Sequence, residues 1–188
     1  MSPKLTTDDE SMWLISFTRK STFGKWLIYI VAACLLLAAA VYLFETHRSL
    51  KNLAENYIKT NYSSLSPATN TDDNNLTTGI AAYNKKEYSK AVQIFESTEE
   101  ADPSNGETKK YLGLSYLQMK SYDTALLQFR DLSTKNSITN NPGDFLQALT
   151  LLERNNKGDK ESAEQLLQKV VDEKKEDNQE AKELLKKF

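Results

Sequence analysis

The chain contains nearly the same ten residues twice, 34 positions apart. Residues 86–95 read KEYSKAVQIF and residues 120–129 read KSYDTALLQF. The agreement extends beyond these segments, because Gly79 and Gly113 are separated by the same 34 positions. A fixed period of this length indicates a repeated structural unit, and a unit of this size cannot bury its apolar face alone. The repeat therefore predicts stacked copies of one unit.

Each unit is predicted to be a pair of antiparallel helices. No segment shows sustained alternation of apolar and polar residues, so the sequence predicts no β-sheet. Two helices that cross closely need a small residue where their backbones approach, and a large side chain is then needed to fill the space between one pair and the next. The residues that meet these needs in register are Gly79, Ala91 and Phe95 in the first unit and Gly113, Ala125 and Phe129 in the second.

This pattern resembles the tetratricopeptide repeat, in which each 34-residue unit is a helix pair. The family's tyrosine, three residues after the small residue, is matched by Tyr116, while Ala82 occupies that place in the first unit. Pro103 matches the proline that closes a repeat, whereas Ser137 replaces it in the second unit. The family's early tryptophan is absent from both units. The resemblance covers about residues 72–188 and implies an all-α fold: an α-solenoid of two to three helix pairs with a C-terminal capping helix.

A looser third pair and a final helix are predicted after the second unit. Ala148 occupies the small position, and Ala163 follows it by 15 positions, compared with 12 between the matching residues of the first two units. The extra residues lie in the turn sequence NNKGDK, 155–160. Residues 178–187 carry one apolar and one charged face, which suits a terminal cap. The predicted repeats span about residues 72–105, 106–139 and 140–176.

Two of the predicted helix starts carry capping signals. Ser104 followed by Glu107 matches a capping box, in which the two side chains satisfy backbone N–H groups of the first helical turn. Asn141 before Pro142 combines a favoured N-cap residue with a favoured first helical residue. Both signals fall at predicted joints between helix pairs.

One segment before the repeats is apolar enough to cross a membrane. Residues 26–44 read WLIYIVAACLLLAAAVYLF, which is 19 positions without a charge, a proline or a glycine. As a helix this segment is about 28 Å long, close to the hydrocarbon thickness of a bilayer. Trp26 and Tyr29 near one end and Tyr42 near the other lie where aromatic rings meet lipid headgroups. We therefore expect a transmembrane helix at residues 26–44, with the lipid bilayer as its partner.

A cleaved signal peptide is the alternative interpretation of this segment. It is disfavoured because 25 residues precede the apolar run, and because residues 41–44 continue the run past the small residues at 38–40. The positive-inside rule gives little orientation, since three basic residues flank each side within 20 positions. The three basic residues on the N-terminal side lie slightly closer to the span than the three on the C-terminal side. The arrangement of one span, a polar spacer and helical repeats resembles bacterial single-pass membrane-anchored tetratricopeptide proteins. This resemblance implies the bacterial inner membrane, and we expect the repeats on the non-cytoplasmic side.

The remaining segments are predicted to be a polar tail and a connection. Residues 1–25 form the polar N-terminal tail. Residues 45–62 show helical spacing of apolar side chains and can prolong the membrane helix. The sequence SSLSPATNTDDNN at residues 63–75 favours a flexible spacer. The connection between membrane helix and repeats is therefore assigned to residues 45–71, a juxtamembrane helix followed by a spacer.

Few residues of the sequence are suited to catalysis or metal binding. A nucleophile–histidine arrangement would have to use His47, the only histidine, which lies three residues past the apolar run and is interpreted as an interfacial polar residue. Cys34, the only cysteine, lies within the run, and no Cys/His cluster has metal-ligand spacing. Glycine-rich phosphate-binding motifs are also absent. Acidic and basic residues are interleaved, with a net charge of −2, which is typical of solvated helices rather than of nucleic-acid-binding surfaces. We therefore expect no enzyme activity, no cofactor, no metal and no nucleic-acid partner.

Stacked helix pairs leave a concave face, which can bind an extended or helical peptide. In the alternative interpretation, several leucines of this face pack only between neighbouring helices. A clamp for carboxylate chain ends, which related domains build from Lys and Asn, is not expected, because Leu76, Ile80 and Leu114 occupy those places. The candidate protein-binding groove comprises Leu76, Ile80, Tyr83, Asn84, Lys110, Leu114, Leu117, Gln118, Phe145 and Leu149.

These observations predict a membrane-anchored adaptor or scaffold that binds another protein or peptide without catalysing a reaction. The alternative is an accessory, chaperone-like subunit of an envelope protein-export or assembly machine, because an apolar groove also suits emerging chains. A third hypothesis is self-association, through the face of the membrane helix that carries Cys34 and Ala38 or through the solenoid ends.

Overall fold

A computed structural model describes residues 23–66, 74–135 and 141–188. These residues form helices joined by turns, with no strand among them, which confirms the all-α prediction for this part of the chain. Most of the predicted N-terminal tail and residues 67–73 of the predicted spacer lie outside the described residues. The helices are α1 (Phe23–Tyr62), α2 (Asn74–Asn84), α3 (Tyr88–Ala101), α4 (Gly106–Gln118), α5 (Tyr122–Ser133), α6 (Gly143–Arg154), α7 (Asp159–Asp172) and α8 (Asn178–Leu185).

The chain divides after Tyr42 into two units. In the first unit, α1 carries large apolar side chains that are exposed, among them Trp26 at 71% and Leu36 at 72%. Among the residues that the structure describes, which exclude the side chains of residues 23–25, 27 and 43–49, no helix is long and apolar enough to cross a membrane.

The second unit, Leu43–Phe188, contains a stack of helix pairs. α2 packs against α3, α4 against α5, and α6 against α7. Successive pairs join through contacts of α3 with α4 and of α5 with α6, and α8 packs against α7 at the end. Elements therefore contact mainly their neighbours in sequence, as in a helical repeat, and the arrangement is compatible with an α-solenoid.

In the first two pairs, a glycine and a phenylalanine make a very close contact between the helices. A Cβ atom on Gly113 would lie 2.5 Å from Cε1 of Phe129, and one on Gly79 would overlap the ring of Phe95 in the same way. Phe95 also contacts the next pair, since its ring centroid lies 5.8 Å from that of Tyr111. Only glycine leaves room for the ring, so the 34-residue spacing reflects one packing contact used twice.

Lys86 and Lys120 occupy the same place in the turn inside each pair. Both residues have left-handed backbone conformations, with φ of 63° and 58°. After Lys120, the N–H of Ser121 donates to the carbonyl of Tyr116 at 2.9 Å, and the matching bond follows Lys86. This is the Schellman pattern, in which a left-handed residue ends a helix and satisfies its last carbonyls. The lysines therefore mark the position where the chain reverses.

The third pair is offset by one position from the 34-residue period. The left-handed residue that ends α6 is Asn155, with φ of 55°, 35 positions after Lys120. The hydroxyls of Ser115 and Thr150, also 35 apart, each donate to the carbonyl four residues earlier, at 2.8 and 2.7 Å. In this register Ala148, which is fully buried, stands at the small position of α6.

Asn105, rather than Ser104, caps the start of α4. Oδ1 of Asn105 accepts hydrogen bonds from the N–H groups of Glu107 and Thr108, at 3.0 and 3.2 Å. Ser104 instead donates to Asp102, through both its N–H and its hydroxyl. The predicted capping box is therefore wrong, because a second capping residue stands one position closer to the helix.

Asn141 links the end of α5 to the start of α6. Its Oδ1 accepts from the N–H of Gly143 at 2.9 Å, and its Nδ2 donates to the carbonyl of Leu132 at 2.6 Å. Gly143 lies against the backbone of α5, where a Cβ atom would be 2.5 Å from the amide nitrogen of Ser133. The need for glycine at position 143 is invisible in the repeat pattern, because the first two units have no glycine at the matching places.

Candidate functional site

Residues 50–65, the covering segment, lie against a face formed by α2, α4, α6 and the start of α8, which we call the inner face. Leu50, Ala54 and Ile58 recur on one side of α1 and are buried in the same apolar core as the helix pairs. Leu65, which follows the helix, is also buried in this core. The chain therefore covers its own inner face.

Three side chains of the inner face bind the backbone of the covering segment. The N–H of Leu65 donates to Oδ1 of Asn84 at 2.7 Å, and Nδ2 of Asn84 donates to the carbonyl of Leu65 at 2.9 Å. The carbonyl of Tyr62 accepts from the hydroxyl of Tyr83 at 2.5 Å and from Nε2 of Gln118 at 3.2 Å. These bonds satisfy backbone groups at the end of α1. Because they contact the main chain, they recognise the conformation of the segment rather than its side chains.

Tyr57 joins the covering segment to α6 and to the start of α8. Its ring meets that of Phe145 edge to face, with centroids 5.3 Å apart. Its hydroxyl donates to Oδ1 of Asp177 at 3.2 Å. Burial raises the pKa of Asp177 to about 6, and the negative charge of Glu176 contributes to the rise. The covering segment thus binds a carboxylate that takes up a proton in mildly acidic solution.

A second carboxylate faces the covering segment at the end of α6. The hydroxyl of Tyr122 donates to Oε1 of Glu153 at 3.3 Å. Burial raises the pKa of Glu153, and the negative charge of Glu55 on the covering segment raises it further, against the lowering effect of the Tyr122 hydrogen bond. The two acidic groups therefore repel each other across the contact.

Four of the predicted groove residues, Tyr83, Asn84, Gln118 and Phe145, contact the covering segment through hydrogen bonds or rings. Lys110 is half-buried, with its ammonium 5.1 Å from the ring centroid of the next residue. The remaining predicted residues are buried in the core, as in the alternative interpretation that leucines of this face pack between neighbouring helices. They are Leu76, Ile80, Leu114, Leu117 and Leu149. The predicted groove is thus occupied by the chain itself.

The residues of the repeat signature lie within the stack. Tyr116 is half-buried, and its hydroxyl donates to Oε1 of Glu96 at 2.6 Å. The buried residues of the signature are Gly79, Ala91, Phe95, Gly113, Ala125, Phe129, Ala148 and Ala163. The side chain of Tyr116 therefore reaches from α4 across to α3.

The covering segment is the part of the site that the sequence interpretation did not identify. The helical spacing of Leu50 and Ile58 was visible, but an apolar stripe does not name the surface that buries it. The position of this apolar stripe in the sequence was the signal that could have indicated a covered surface. An apolar stripe on a helix beyond the end of the apolar run requires a protein surface to cover it.

Comparisons of this chain with protein-family models, with curated proteins and with solved structures found no match.

Proposed function

We propose that this chain is a membrane-anchored, non-enzymatic adaptor of the tetratricopeptide type that mediates protein–protein interaction. The observation that carries the proposal is the inner face, which buries one side of a helix and holds the end of the covering segment through main-chain bonds of Tyr83, Asn84 and Gln118. A helix seated in a groove by apolar anchors and a few polar side chains is a recurring mode of peptide recognition. The stack therefore has the geometry of a binding module.

The repeat supports the tetratricopeptide assignment. The family pattern places a small residue and an aromatic residue where the two helices of a pair cross. Gly113 and Phe129 make this contact, and Gly79 and Phe95 repeat it 34 positions earlier. The same contact in successive pairs is the behaviour expected of a stacked repeat.

Membrane anchoring is supported by the apolar part of α1. The consecutive side chains of Ile28, Tyr29, Ile30 and Val31 are all exposed. Consecutive helical positions point in directions about 100° apart, so exposed apolar groups surround the helix. Such a helix needs apolar cover on every side, and a run of 19 apolar positions matches the thickness of a bilayer. The proposal retains the orientation with the repeats outside the cytoplasm.

A specific adaptor is preferred to a chaperone-like accessory subunit because of how the inner face is used. A chaperone needs open apolar surface for unfolded clients. Here Leu114, Leu117 and Leu149 are buried, and the covering segment occupies the groove. The surface left for clients is therefore smaller than the sequence suggested.

The test is in-cell crosslinking of the full-length chain, followed by capture and mass spectrometry. The matched control is residues 1–71 alone, with Leu50→Ser and Ile58→Ser so that the uncovered apolar stripe does not capture proteins by itself. Carbonate extraction of membranes tests the anchor in the same cells. We expect the full chain to resist extraction and to capture proteins that the control does not.

Identical protein lists from the two versions would show that the helix pairs recruit nothing, and the adaptor function would be wrong. Release of the full chain by carbonate would contradict the anchor but leave the adaptor function standing. The compartment of the captured proteins decides the orientation.

A further inference from the structure

A groove of about 820 Å³ lies between α5 and α7, with α6 beneath it. Leu126, Leu151 and Leu166 contribute apolar surface to its lining. Leu127, on its α5 wall, is 59% exposed, more than any other large apolar side chain that the structure describes in residues 50–188. The volume lies within the range of about 300–1,000 Å³ found for ligand sites.

The corresponding place between α3 and α5 is bridged by the chain's own side chains. Tyr116 on α4 crosses to α3, where its hydroxyl donates to Glu96 at 2.6 Å. In the register of the third pair, Leu151 stands 35 positions after Tyr116, and Arg130 stands 34 positions after Glu96. A leucine has no hydroxyl to offer and an arginine accepts no hydrogen bond, so this bridge cannot form between α6 and α5.

The wall of the groove also differs from its counterpart. Leu127 stands 34 positions after Gln93, which is exposed on α3. The two junctions can therefore be compared position by position. The junction of α3 with α5 carries Gln93, Glu96 and the bridging Tyr116, whereas the junction of α5 with α7 carries Leu127, Arg130 and Leu151. The second junction is more apolar and more basic, although its helices derive from the same pattern.

Some charged side chains that line the groove form ion pairs and others do not. Arg154 at one end pairs with both acidic residues of the lining, Asp123 and Asp159, at 2.5 and 2.6 Å. Arg130 and Lys157 are exposed and have no ion-pair partner among the residues that the structure describes. A ligand that enters the groove therefore meets apolar surface beside two unpaired cations, which favours a carboxylate next to a large apolar group.

We infer that the groove between α5 and α7 is the docking site for a partner segment that carries a large apolar side chain flanked by acidic residues. The apolar side chain packs on Leu127 and Leu151, and a carboxylate pairs with Arg130. This arrangement supplies in trans the kind of pairing that Tyr116 and Glu96 make within the chain at the first junction. The inference rests on the proposed adaptor function and names the surface and the chemistry of the partner.

The test is binding of labelled synthetic peptides to the purified full chain in detergent, measured by fluorescence anisotropy. The probe is a blocked peptide of sequence Glu-Glu-Tyr-Leu-Glu-Glu. Two control peptides replace either the acids by Lys or the central pair by Ser-Ser. We expect the acidic-apolar peptide alone to bind, and more weakly at high salt.

The main variant, Leu127→Gln with Arg130→Glu, gives the groove the residues of the first junction. Both positions are exposed, so folding is expected to be unaffected, and circular dichroism checks it. We expect binding to weaken about tenfold or more, whereas Arg130→Lys keeps the charge and weakens it less. Lys85→Glu, an equal charge change at an exposed residue of the first pair, leaves binding unchanged.

A second variant closes the groove instead of changing its wall. Leu151→Tyr with Arg130→Glu recreates the bridging pair of the first junction, and we expect it to abolish binding. The inference is overturned if the acidic-apolar peptide fails to bind the unmodified chain, if all three peptides bind equally, or if both double variants bind like the unmodified chain.

The in-cell experiment separates the two proposals. If the Leu127→Gln, Arg130→Glu chain still captures the same proteins as the unmodified chain, the adaptor function holds and the docking site lies elsewhere. If the unmodified chain captures nothing beyond its control, the adaptor function itself is wrong.

Discussion

Asn84 holds Leu65 by both of its backbone groups, accepting from its N–H at 2.7 Å and donating to its carbonyl at 2.9 Å. The amide side chain of Asn84 carries both the donor and the acceptor that this contact requires. In the register of the repeats, Gln118 and Glu153 occupy the matching positions of the next two pairs. Gln118 donates to the Tyr62 carbonyl, and Glu153 faces the charge of Glu55. One repeat position thus faces the covering segment in each pair.

Asn84→Ala removes both hydrogen bonds to Leu65 and a third, longer one from the Ser64 hydroxyl, and it loosens the end of the covering segment. Each bond to Leu65 contributes roughly 0.5–1.5 kcal/mol, so we expect the free energy of unfolding to fall by about 1–3 kcal/mol. Urea denaturation measures the change, and hydrogen exchange should increase in residues 50–65. Asn52→Ala, at an exposed position of the same segment, is the control. Unchanged exchange in Asn84→Ala would show that the apolar contacts alone hold the segment.

Gly113→Ala introduces a methyl group into the space of the Phe129 ring. Alanine favours helix by about 1 kcal/mol over glycine, but overpacking of a buried contact costs about 1–3 kcal/mol. We expect net destabilisation because the added methyl would lie 2.5 Å from the ring of Phe129, which is fully buried. Combination with Phe129→Leu should cost less than the sum of the two single changes in a double-mutant cycle. Additive costs would mean that the two residues do not compete for the same space.

Lys86→Gly is expected to stabilise the stack of helix pairs. Lys86 has φ of 63°, a conformation that costs a non-glycine residue about 1 kcal/mol and costs glycine little. We expect the midpoint of urea unfolding to rise accordingly. Lys90→Gly, inside α3, is the matched control and should destabilise by about 1 kcal/mol. A loss of stability in Lys86→Gly would show that the lysine side chain contributes more than its backbone strain costs.

Asp177→Asn should make the protein more stable near neutral pH. The folded-state pKa of Asp177 is about 6, above the ordinary value of 3.8, so the folded state binds the proton more tightly than the unfolded state. Its contribution to stability is therefore complete below about pH 4 and is lost as the pH rises to about 6. Asparagine stays neutral, accepts from Tyr57 and tolerates the left-handed backbone found at this position, where φ is 61°.

Thermal melting of the unmodified chain and of Asp177→Asn between pH 4 and 7.5 measures this effect. The two melting temperatures should converge at the acidic end and separate as the pH rises. Glu164→Gln, at an exposed position of α7, controls for the loss of one negative charge. A constant difference across the range would indicate that the titration of Asp177 does not affect stability.

Local patterns predicted the helix pairs well, because each depends on residues close in sequence. Gly79 and Phe95 lie in one pair, and their spacing returns with Gly113 and Phe129. The capping residue of α4 was mispredicted because Ser104 and Asn105 are both good caps, and only the backbone path decides between them.

The covering segment could not be predicted because its contacts are distant in sequence. Its apolar stripe was visible, but Leu65 meets a residue 19 positions away and Tyr62 one that is 56 away. Periodicity predicts which side of a helix is apolar, but it does not predict which surface that side packs against. The open groove between α5 and α7 was also hidden, since it depends on the one-position offset that aligns Leu151 with Tyr116.

The hydrogen bond between Tyr57 and Asp177 joins residues 120 positions apart. In a stack of repeats each unit touches only its neighbours, so the ends can open independently of the middle. The covering segment contacts Asn84 in the first pair and Asp177 beyond the last one, so opening either end disrupts contacts made by this one segment. Such long-range closure favours one cooperative unfolding transition over fraying by units, and it slows folding, because the contacts form only after distant parts of the chain have met.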